Sequence, residues 1–389
     1  MHELHQIITV ARRLRENGEP FAVATVVKIG GSTYRRPGAR MLVDPEGNRW
    51  GTLSGGCLEG EVATQALAVI KEGRPRLLPF ELADDDLVLG FGTGCDGTVH
   101  VLIEPVVPGG SGRKDVVAFV DQCHVSRRPG VLVTVTTASS ADDVGTHLLV
   151  DESGGMEGDI IEPTIRSRAA ATARALLERR VSGAAGRNNR SWHSAVVDFE
   201  NATTELLLEV VRPPVQLFIF GDGHDVRAVQ KQAAALGWHV VVVGQKSAEV
   251  LAERFPDASE HVFLMHPADA RDRLVLDADS AALVMNHAYL RDRDLLRELL
   301  QSDVSYVGML GPAERTRRML DELADDGIPV TGEQRARLYG PTGLDIGTET
   351  PEEIALAAVA EIQAALHRRT GGFLRDRSGP IHEAREAAT

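Results

Sequence analysis

Val215-Gln-Leu-Phe-Ile-Phe-Gly-Asp-Gly-His-Asp-Val226 runs from an apolar stretch through two glycines into an amphipathic one. The spacing predicts a strand over Val215–Phe220, a tight turn, and a helix over Val226–Leu236. The same alternation continues outward from it. Strands are expected at His239–Val243, Val262–Met265, Ala281–Met285 and Val304–Val307, with helices around Arg291–Leu300 and Ala313–Leu323. Such alternation gives a parallel sheet covered by helices on both faces, a Rossmann-type α/β fold. The last helix has a marked start, with Thr350 as cap, Pro351 in the first turn and Glu353 closing a capping box, and it should run to about Arg368.

In that turn, Gly221 and Gly223 let the backbone approach a ligand phosphate at a positive helix end. His224, beside them, and His287, after an apolar strand, fall at the C-terminal edge of the sheet, where such folds bind ligands. These four are candidate cofactor-binding residues. The fingerprint is incomplete. Its third small residue is Val226, the next strand ends Gly244-Gln245-Lys246 without an acid for a ribose hydroxyl, and Asp222 adds negative charge. NAD should bind weakly at most, and Lys246 leaves NADP open.

Arg212-Pro213-Pro214 is the clearest domain punctuation, dividing residues 1–211 from 212–389. The first part should be a mixed α+β domain with an internal pseudo-repeat. Gly38-Ala-Arg-Met-Leu-Val-Asp44 reappears as Gly145-Thr-His-Leu-Leu-Val-Asp151, with Gly47, Gly51 and Leu53 answered by Gly154, Gly158 and Ile160. With a two-residue slip, Val99–Glu104 answers to Thr204–Glu209, which sets Glu200 opposite Cys95. Local patterning predicts helices at Leu4–Glu16, Glu59–Lys71 and Thr164–Arg180. Strands are expected at Phe21–Lys28, Arg40–Val43, Leu87–Leu89 and Thr98–Glu104, with a polar loop at Ser182–Asn189.

Two cysteines lie in glycine-rich turns of the first copy only: Cys57 in Ser54-Gly55-Gly56-Cys57 and Cys95 in Gly94-Cys95-Asp96-Gly97. The second copy carries Thr164 at the ungapped position of Cys57. A fold built twice, once without these thiols, does not need them to fold, which moves both from packing toward chemistry. Cys57 precedes a helix N-terminus, where free N–H groups and the dipole favour thiolate and would hold phosphate. Arg36 and Arg40, in the nearby loop, offer planar donors for phosphate or carboxylate. Two thiols are too few for a structural zinc site, and a disulfide between them stays open. Cys123 has no such setting and reads as a small buried hydrophobe.

The chain has 389 residues, ordinary globular composition and a formal net charge of −14, which argues against nucleic acid or an anionic membrane as main partner. No apolar run approaches a membrane span, and no secretory pattern opens the chain. Three cysteines make no disulfide framework, so a reducing cytoplasm is the expected compartment.

With these residues laid out, the chain resembles the xanthine dehydrogenase accessory protein family, the XdhC/CoxI type. The likeness rests first on Gly31-Ser32, Arg36-Pro37-Gly38, Leu53–Glu59 and Gly94–Thr98. It continues through Phe218–His224, Met285-Asn286-His287 with Asp292, Tyr306–Gly311, Pro341–Gly347 and Thr350–Ala355. The resemblance implies a protein that binds molybdenum cofactor (molybdopterin) transiently, protects it during sulfido exchange and delivers it to a molybdenum hydroxylase. A cysteine desulfurase-type sulfur donor would be a second partner, and a homodimer is open. It points to a cofactor-insertion accessory protein more than to an enzyme. Cys57 and Cys95 carry over as cofactor contacts, with Ser54, Gly55, Gly56 and Arg36 or Arg40 around the pterin phosphate. The alternatives are an NAD(P)-dependent oxidoreductase with His287 as acid–base, and a redox or metal sensor using the two thiols. Three cysteines cannot ligate the iron–sulfur clusters of a xanthine dehydrogenase itself.

Overall fold

The computed structural model describes residues 2–31, 33–82, 97–110, 113–140, 142–160, 162–181, 192–199 and 202–378. The segments predicted at Leu87–Leu89 and Ser182–Asn189, together with Cys95 and Glu200, lie outside the described residues. The chain divides at Pro213/Pro214 into two compact units.

The N-terminal unit is one seven-element pattern written twice. The first pass is α1 (His2–Glu16), β1 (Phe21–Gly31), β2 (Arg40–Val43), β3 (Arg49–Gly51), α2 (Glu59–Glu72), β4 (Arg76–Leu82) and β5 (Gly97–Val106). The second is α3 (Val116–Ser126), β6 (Gly130–Thr137), β7 (His147–Asp151), β8 (Met156–Gly158), α4 (Pro163–Val181), β9 (Trp192–Phe199) and β10 (Ala202–Val211). The sheets have the same order, β3-β2-β1-β5-β4 and β8-β7-β6-β10-β9. They also have the same register. Ala22 faces Val43 as Val131 faces Val150, and Phe21 faces Val106 as Gly130 faces Val211.

Alternation along the strands sends each sheet's two faces into different cores. One face of the first sheet, with Ala22, Ala24, Val26 and Ile103, packs on Val62, Ala66 and Val69 of α2. The matching face of the second, with Val131, Val133 and Leu208, packs on Ala169, Ala173 and Leu176 of α4. The opposite faces meet in a shared core, where Phe21, Val23 and Leu42 join Leu132, Leu149 and Val211 between α1 and α3.

Gly51 and Gly158 mark equivalent points where only glycine fits. A Cβ on Gly51 would lie 2.4 Å from the Arg40 carbonyl oxygen, and one on Gly158 would lie 2.3 Å from that of His147.

The halves also exchange charge across their junction. Arg40 of β2 holds Glu209 of β10 through two hydrogen bonds of 2.9 and 2.5 Å. His147 of β7 holds Glu104 of β5 at 2.6 Å. In the shared register Arg40 answers to His147 and Glu104 to Glu209. The contact is thus made in both directions, as a pseudo-two-fold axis requires. All four residues are buried.

The C-terminal unit contains β11 (Gln216–Phe220), α5 (Val226–Ala235), β12 (His239–Gly244), α6 (Ala248–Arg254), β13 (Glu260–Phe263), α7 (Ala270–Arg273) and β14 (Ser280–Val284). It continues with α8 (Tyr289–Leu300), β15 (Tyr306–Met309), α9 (Ala313–Asp325), α10 (Gly332–Ala336), β16 (Leu338–Tyr339) and α11 (Pro351–Leu366). Its strands are all parallel, in the order β13-β12-β11-β14-β15-β16. One sheet face packs on α5 and α11, the other on α8 and α9. The strand order reverses between β11 and β14, which opens a crevice at their C-terminal ends. The expected capping box at Thr350 and Glu353 is formed.

Two strands lie two residues from their expected places. β13 pairs through Phe263 with Gly244 at the end of β12, so Met265 falls beyond the ladder and is exposed. Val304 is buried in the turn before β15, and apolar pattern alone cannot separate such a residue from a strand.

Candidate functional site

The loop from Thr52 to Leu58 joins β3 to α2 and presents Cys57 as a free, exposed thiol. Its shape is set by Glu59, the first residue of the helix. The Glu59 carboxylate turns back and accepts from the amides of Leu53 (3.0 Å) and Ser54 (2.8 Å) and from the Ser54 hydroxyl (2.8 Å). The hydroxyl in turn accepts from the amides of Gly56 and Leu58, both at 3.2 Å. Burial alone would raise the Glu59 carboxyl, but the Ser54 and Leu53 hydrogen bonds prevail and hold it below the usual range. Gly56 sits at φ +118°, open to glycine alone.

This bracing narrows what the sequence suggests for Ser54, Gly55, Gly56 and Cys57. The amides of Leu53, Ser54, Gly56 and Leu58 are taken inside the loop. Those of Gly55 and Cys57 have no partner in the described structure and lie on exposed residues. The Ser54 side chain is buried as a brace.

The comparison with Thr164 also changes. Eight positions separate Gly51 from the start of α2, but five separate Gly158 from the start of α4. Thr164 therefore lies inside the first turn of its helix, whereas Cys57 stands ahead of one. The Cys57 loop is extra chain on the duplicated scaffold. The second half caps its helix more simply, with Glu162 accepting from the Ile165 amide at 2.6 Å.

The loop between β1 and β2 reaches the same place through Glu3. Arg35 bonds one oxygen of Glu3 at 2.5 Å, and Thr52 bonds the other at 2.9 Å. On the Arg35 loop, Tyr34 is 71% exposed, and Arg36 is exposed with no ion-pair partner among the described residues. Arg40 is placed differently from what the sequence suggests. Its terminal nitrogens are spent on Glu209 and its side chain is 5% exposed, so it has nothing to offer a ligand at the surface. Tyr34 gave no sequence signal, because a lone tyrosine in a polar loop has no period. Glu59 did give one, an acid at the first position of a predicted helix.

In the C-terminal unit, Gly221 sits at φ +152°, and a Cβ there would meet the Met285 carbonyl oxygen at 2.7 Å. Gly223 follows, and His224 is exposed. Asp225 caps α5. One of its oxygens accepts from the Val226 amide at 3.1 Å, and the other meets His287 Nε2 at 3.0 Å. His287 is held in the left-handed region at φ +58°. Beneath it, buried Asp292 accepts from Asn286 (3.0 Å) and from Arg315 (2.7 Å).

The crevice thus brings Gly221, Gly223 and His287 together around a carboxylate. That carboxylate occupies the helix end where a pyrophosphate would need the amides. Val226, too large for the fingerprint, is fully buried in the core. The glycine pattern does not single out Asp225, although an Asp directly before a helix is a capping signal.

Among the described residues, no group of three His, Cys, Asp or Glu would hold a metal ion, and no helix is long and apolar enough to cross a membrane.

Two family models match the chain: the XdhC and CoxI family over residues 14–81, and the XdhC Rossmann domain over 217–362. A probable xanthine dehydrogenase subunit of Bacillus subtilis is 29% identical over 355 residues, spanning 91% of this chain and 96% of its own length. The molybdenum cofactor insertion chaperone PaoD of Escherichia coli is 23% identical over 361 residues, spanning 92% and 87%. A crystal structure described as a xanthine dehydrogenase from Bacillus halodurans has a TM-score of 0.70 and 28% identity, covering 93% of this chain and 96% of that one.

Proposed function

The chain belongs to the XdhC/CoxI family, and from that premise we propose that it is an accessory protein that carries molybdenum cofactor to a molybdenum hydroxylase of the xanthine dehydrogenase type. The observation that carries this reading is the Cys57 loop. It offers a soft thiol and two amides with no partner among the described residues, and Glu3 ties it through Arg35 to the loop that exposes the neighbouring Arg36. A cargo with a phosphate and a thiophilic metal centre matches that donor set. In this reading Cys57 contacts or shields the metal centre, the amides of Gly55 and Cys57 with Arg36 hold the phosphate, and Glu59 keeps the loop in shape. Cys95 is a second contact by family resemblance. Residues 1–211 form the cofactor-handling domain. Residues 212–389 form a Rossmann-type domain that serves docking, dimerisation or a nucleotide-bearing form of the cargo. A cysteine desulfurase-type donor supplies the sulfido ligand, and the protein works in the cytoplasm.

Dehydrogenase activity is disfavoured, because the Asp225 carboxylate stands at the phosphate end of α5. NAD is expected to give little or no heat in a calorimetric titration. The test of the reading is protection of the thiol. Protein purified from cells that make the cofactor should alkylate at Cys57 more slowly than protein from cells that cannot, by peptide mapping. Equal rates would count against cofactor contact at this loop.

A further inference from the structure

The two halves of the N-terminal unit tie the same loop to the same helix in different ways. In the second half, Arg113 stands three residues ahead of α3. It donates to the carbonyls of Asp142 (3.3 Å) and Gly145 (3.0 Å) in the loop between β6 and β7, and the tie ends there. In the first half the tie is a carboxylate on the helix, Glu3 in the first turn of α1, and its two oxygens hold two loops. Oε2 accepts from Arg35 of the β1–β2 loop at 2.5 Å, and Oε1 accepts from the Thr52 hydroxyl at 2.9 Å. Counted from the matched glycines, Arg35 answers to Asp142 and Thr52 to Asp159. Asp159 is turned instead to the His147 amide of its own hairpin. The relay that runs on to the start of the next helix thus belongs to the half that carries Cys57.

Glu3 rides on a fixed element. Ile7, Ile8, Ala11 and Leu14 bury α1 in the shared core, and a Cβ on Gly51 of β3 would meet Ile7 at 2.7 Å. The ion pair itself is open to solvent, with the Arg35 side chain 30% and that of Glu3 39% exposed. Pairs this exposed are weak and exchange readily with solutes. Burial alone would raise the Glu3 carboxyl, but the hydrogen bonds from Arg35 and Thr52 prevail and hold it below the usual range.

Arg35 is followed by Arg36, which is exposed with no ion-pair partner among the described residues. Glu3 therefore brings one negative charge to two neighbouring guanidinium groups. A phosphate or pyrophosphate group brings more charge and fits the planar arginine fork as well as a carboxylate does.

We infer that Arg35, Glu3 and Thr52 form an anion-released latch on the Cys57 loop. An oxyanion taken up by Arg35 and Arg36 displaces Glu3, which loses the partner that orients it and is repelled by the new charge. Thr52 then loses its acceptor. Thr52 adjoins Leu53, where the Glu59 brace begins, so the loop gives up its outer anchor and keeps its inner one. The latch deepens the reading of the Cys57 loop and rests on that reading for its use: a cargo's phosphate frees the thiol loop to close on the metal centre.

The test is hydrogen exchange, read by mass spectrometry on the full chain without molybdenum cofactor. The probe is inorganic pyrophosphate at millimolar concentration, against sodium chloride of matched ionic strength. Pyrophosphate should speed exchange across residues 52–58 by about threefold, the scale of an exposed ion pair. The start of α4, the matched segment of the second half, should not respond. Thr52→Val should exchange fast across 52–58 without the anion and ignore it, and Arg35→Ala should abolish the response. Circular dichroism reports whether each variant is folded. Unchanged exchange in the wild type overturns the latch. So does a response that persists in folded Thr52→Val or Arg35→Ala, or one of equal size at the start of α4. Slower exchange across 52–58 would place the anion on the loop amides themselves, which overturns the latch and leaves the cargo reading standing. Failure of the protein to carry the cofactor would leave the latch standing.

Discussion

The two halves of the N-terminal unit share element order, strand order and register, yet three places differ. The first half has a longer, braced loop carrying Cys57, the second a plain capped helix start. The first half gives an arginine to the junction, the second a histidine. The first half fills its helix–hairpin space with Trp50, whereas the second leaves it open. What the halves share is what folding demands, and candidate chemistry concentrates in what they do not share. The C-terminal unit shows the same division, with a regular sheet and its unusual features confined to the crevice around Asp225 and His287.

The sharpest way to break the comparison is at the junction. Arg40→Ala leaves the Glu209 carboxylate buried without its cation and should cost about 3–5 kcal/mol in urea unfolding. Glu104→Ala should cost less, about 1–3 kcal/mol, because His147 can shed its proton and become a neutral buried group. Equal losses would contradict the asymmetry of the two pairs. A second comparison uses the matched glycines. Gly51→Ala and Gly158→Ala should each cost about 3 kcal/mol, since both push a methyl group against a backbone carbonyl. A large effect at one site and none at the other would mean that the halves are not equivalent there.

The helix starts should respond differently. Glu59→Gln removes a charged acceptor from two amides and a hydroxyl and should cost about 2 kcal/mol. Glu162→Gln, at a half-buried cap that accepts from the Ile165 amide, should leave the denaturation midpoint almost unmoved. The Glu59 contribution has a defined pH sense. Its carboxyl lies below the usual range when folded, so the stabilisation is present above the unfolded value of about 4.3 and fades as pH falls through the folded one.

The smallest expected effect has the opposite sign. Burial opposes protonation of His147, but the charge and hydrogen bond of Glu104 prevail, with Asp159 assisting and Arg113 opposing, and the net shift is upward. The stabilisation is complete below the unfolded value of about 6.5 and is lost as pH rises through the folded one. Urea midpoints of the wild type should therefore decline on the alkaline side, and those of His147→Gln should be flatter. Parallel curves would remove His147 as the cause.

Much of this was legible in the sequence, because period and punctuation carry it. The apolar runs after Val215, the glycine turn and the Thr350 capping box give the Rossmann-type unit. Gly38–Asp44 and Gly145–Asp151 give the repeat with the register that the strands adopt. The candidate site was legible only as residue types. Arg36 and Arg40 look alike in one loop, and their fates separate because Arg40 lies on a strand whose partner Glu209 is 169 residues away. An ungapped match of Cys57 to Thr164 hides a difference in loop length, since repeat matching is blind to where a helix begins. The open cleft at Cys123 is invisible in sequence, because Cys123, Gly130 and Glu157 stand in three separate elements where the first half has Leu14, Phe21 and Trp50.

The central claim, that the Cys57 loop carries molybdenum cofactor, is tested most directly by native mass spectrometry of the full chain after co-expression with the cofactor biosynthetic machinery. The wild type and Cys123→Ser should carry a mass increment equal to the cofactor, and Cys57→Ser should lose it or hold it at much reduced occupancy. A wild type that never carries the increment, or a Cys57→Ser protein that carries it at full occupancy, would contradict the account.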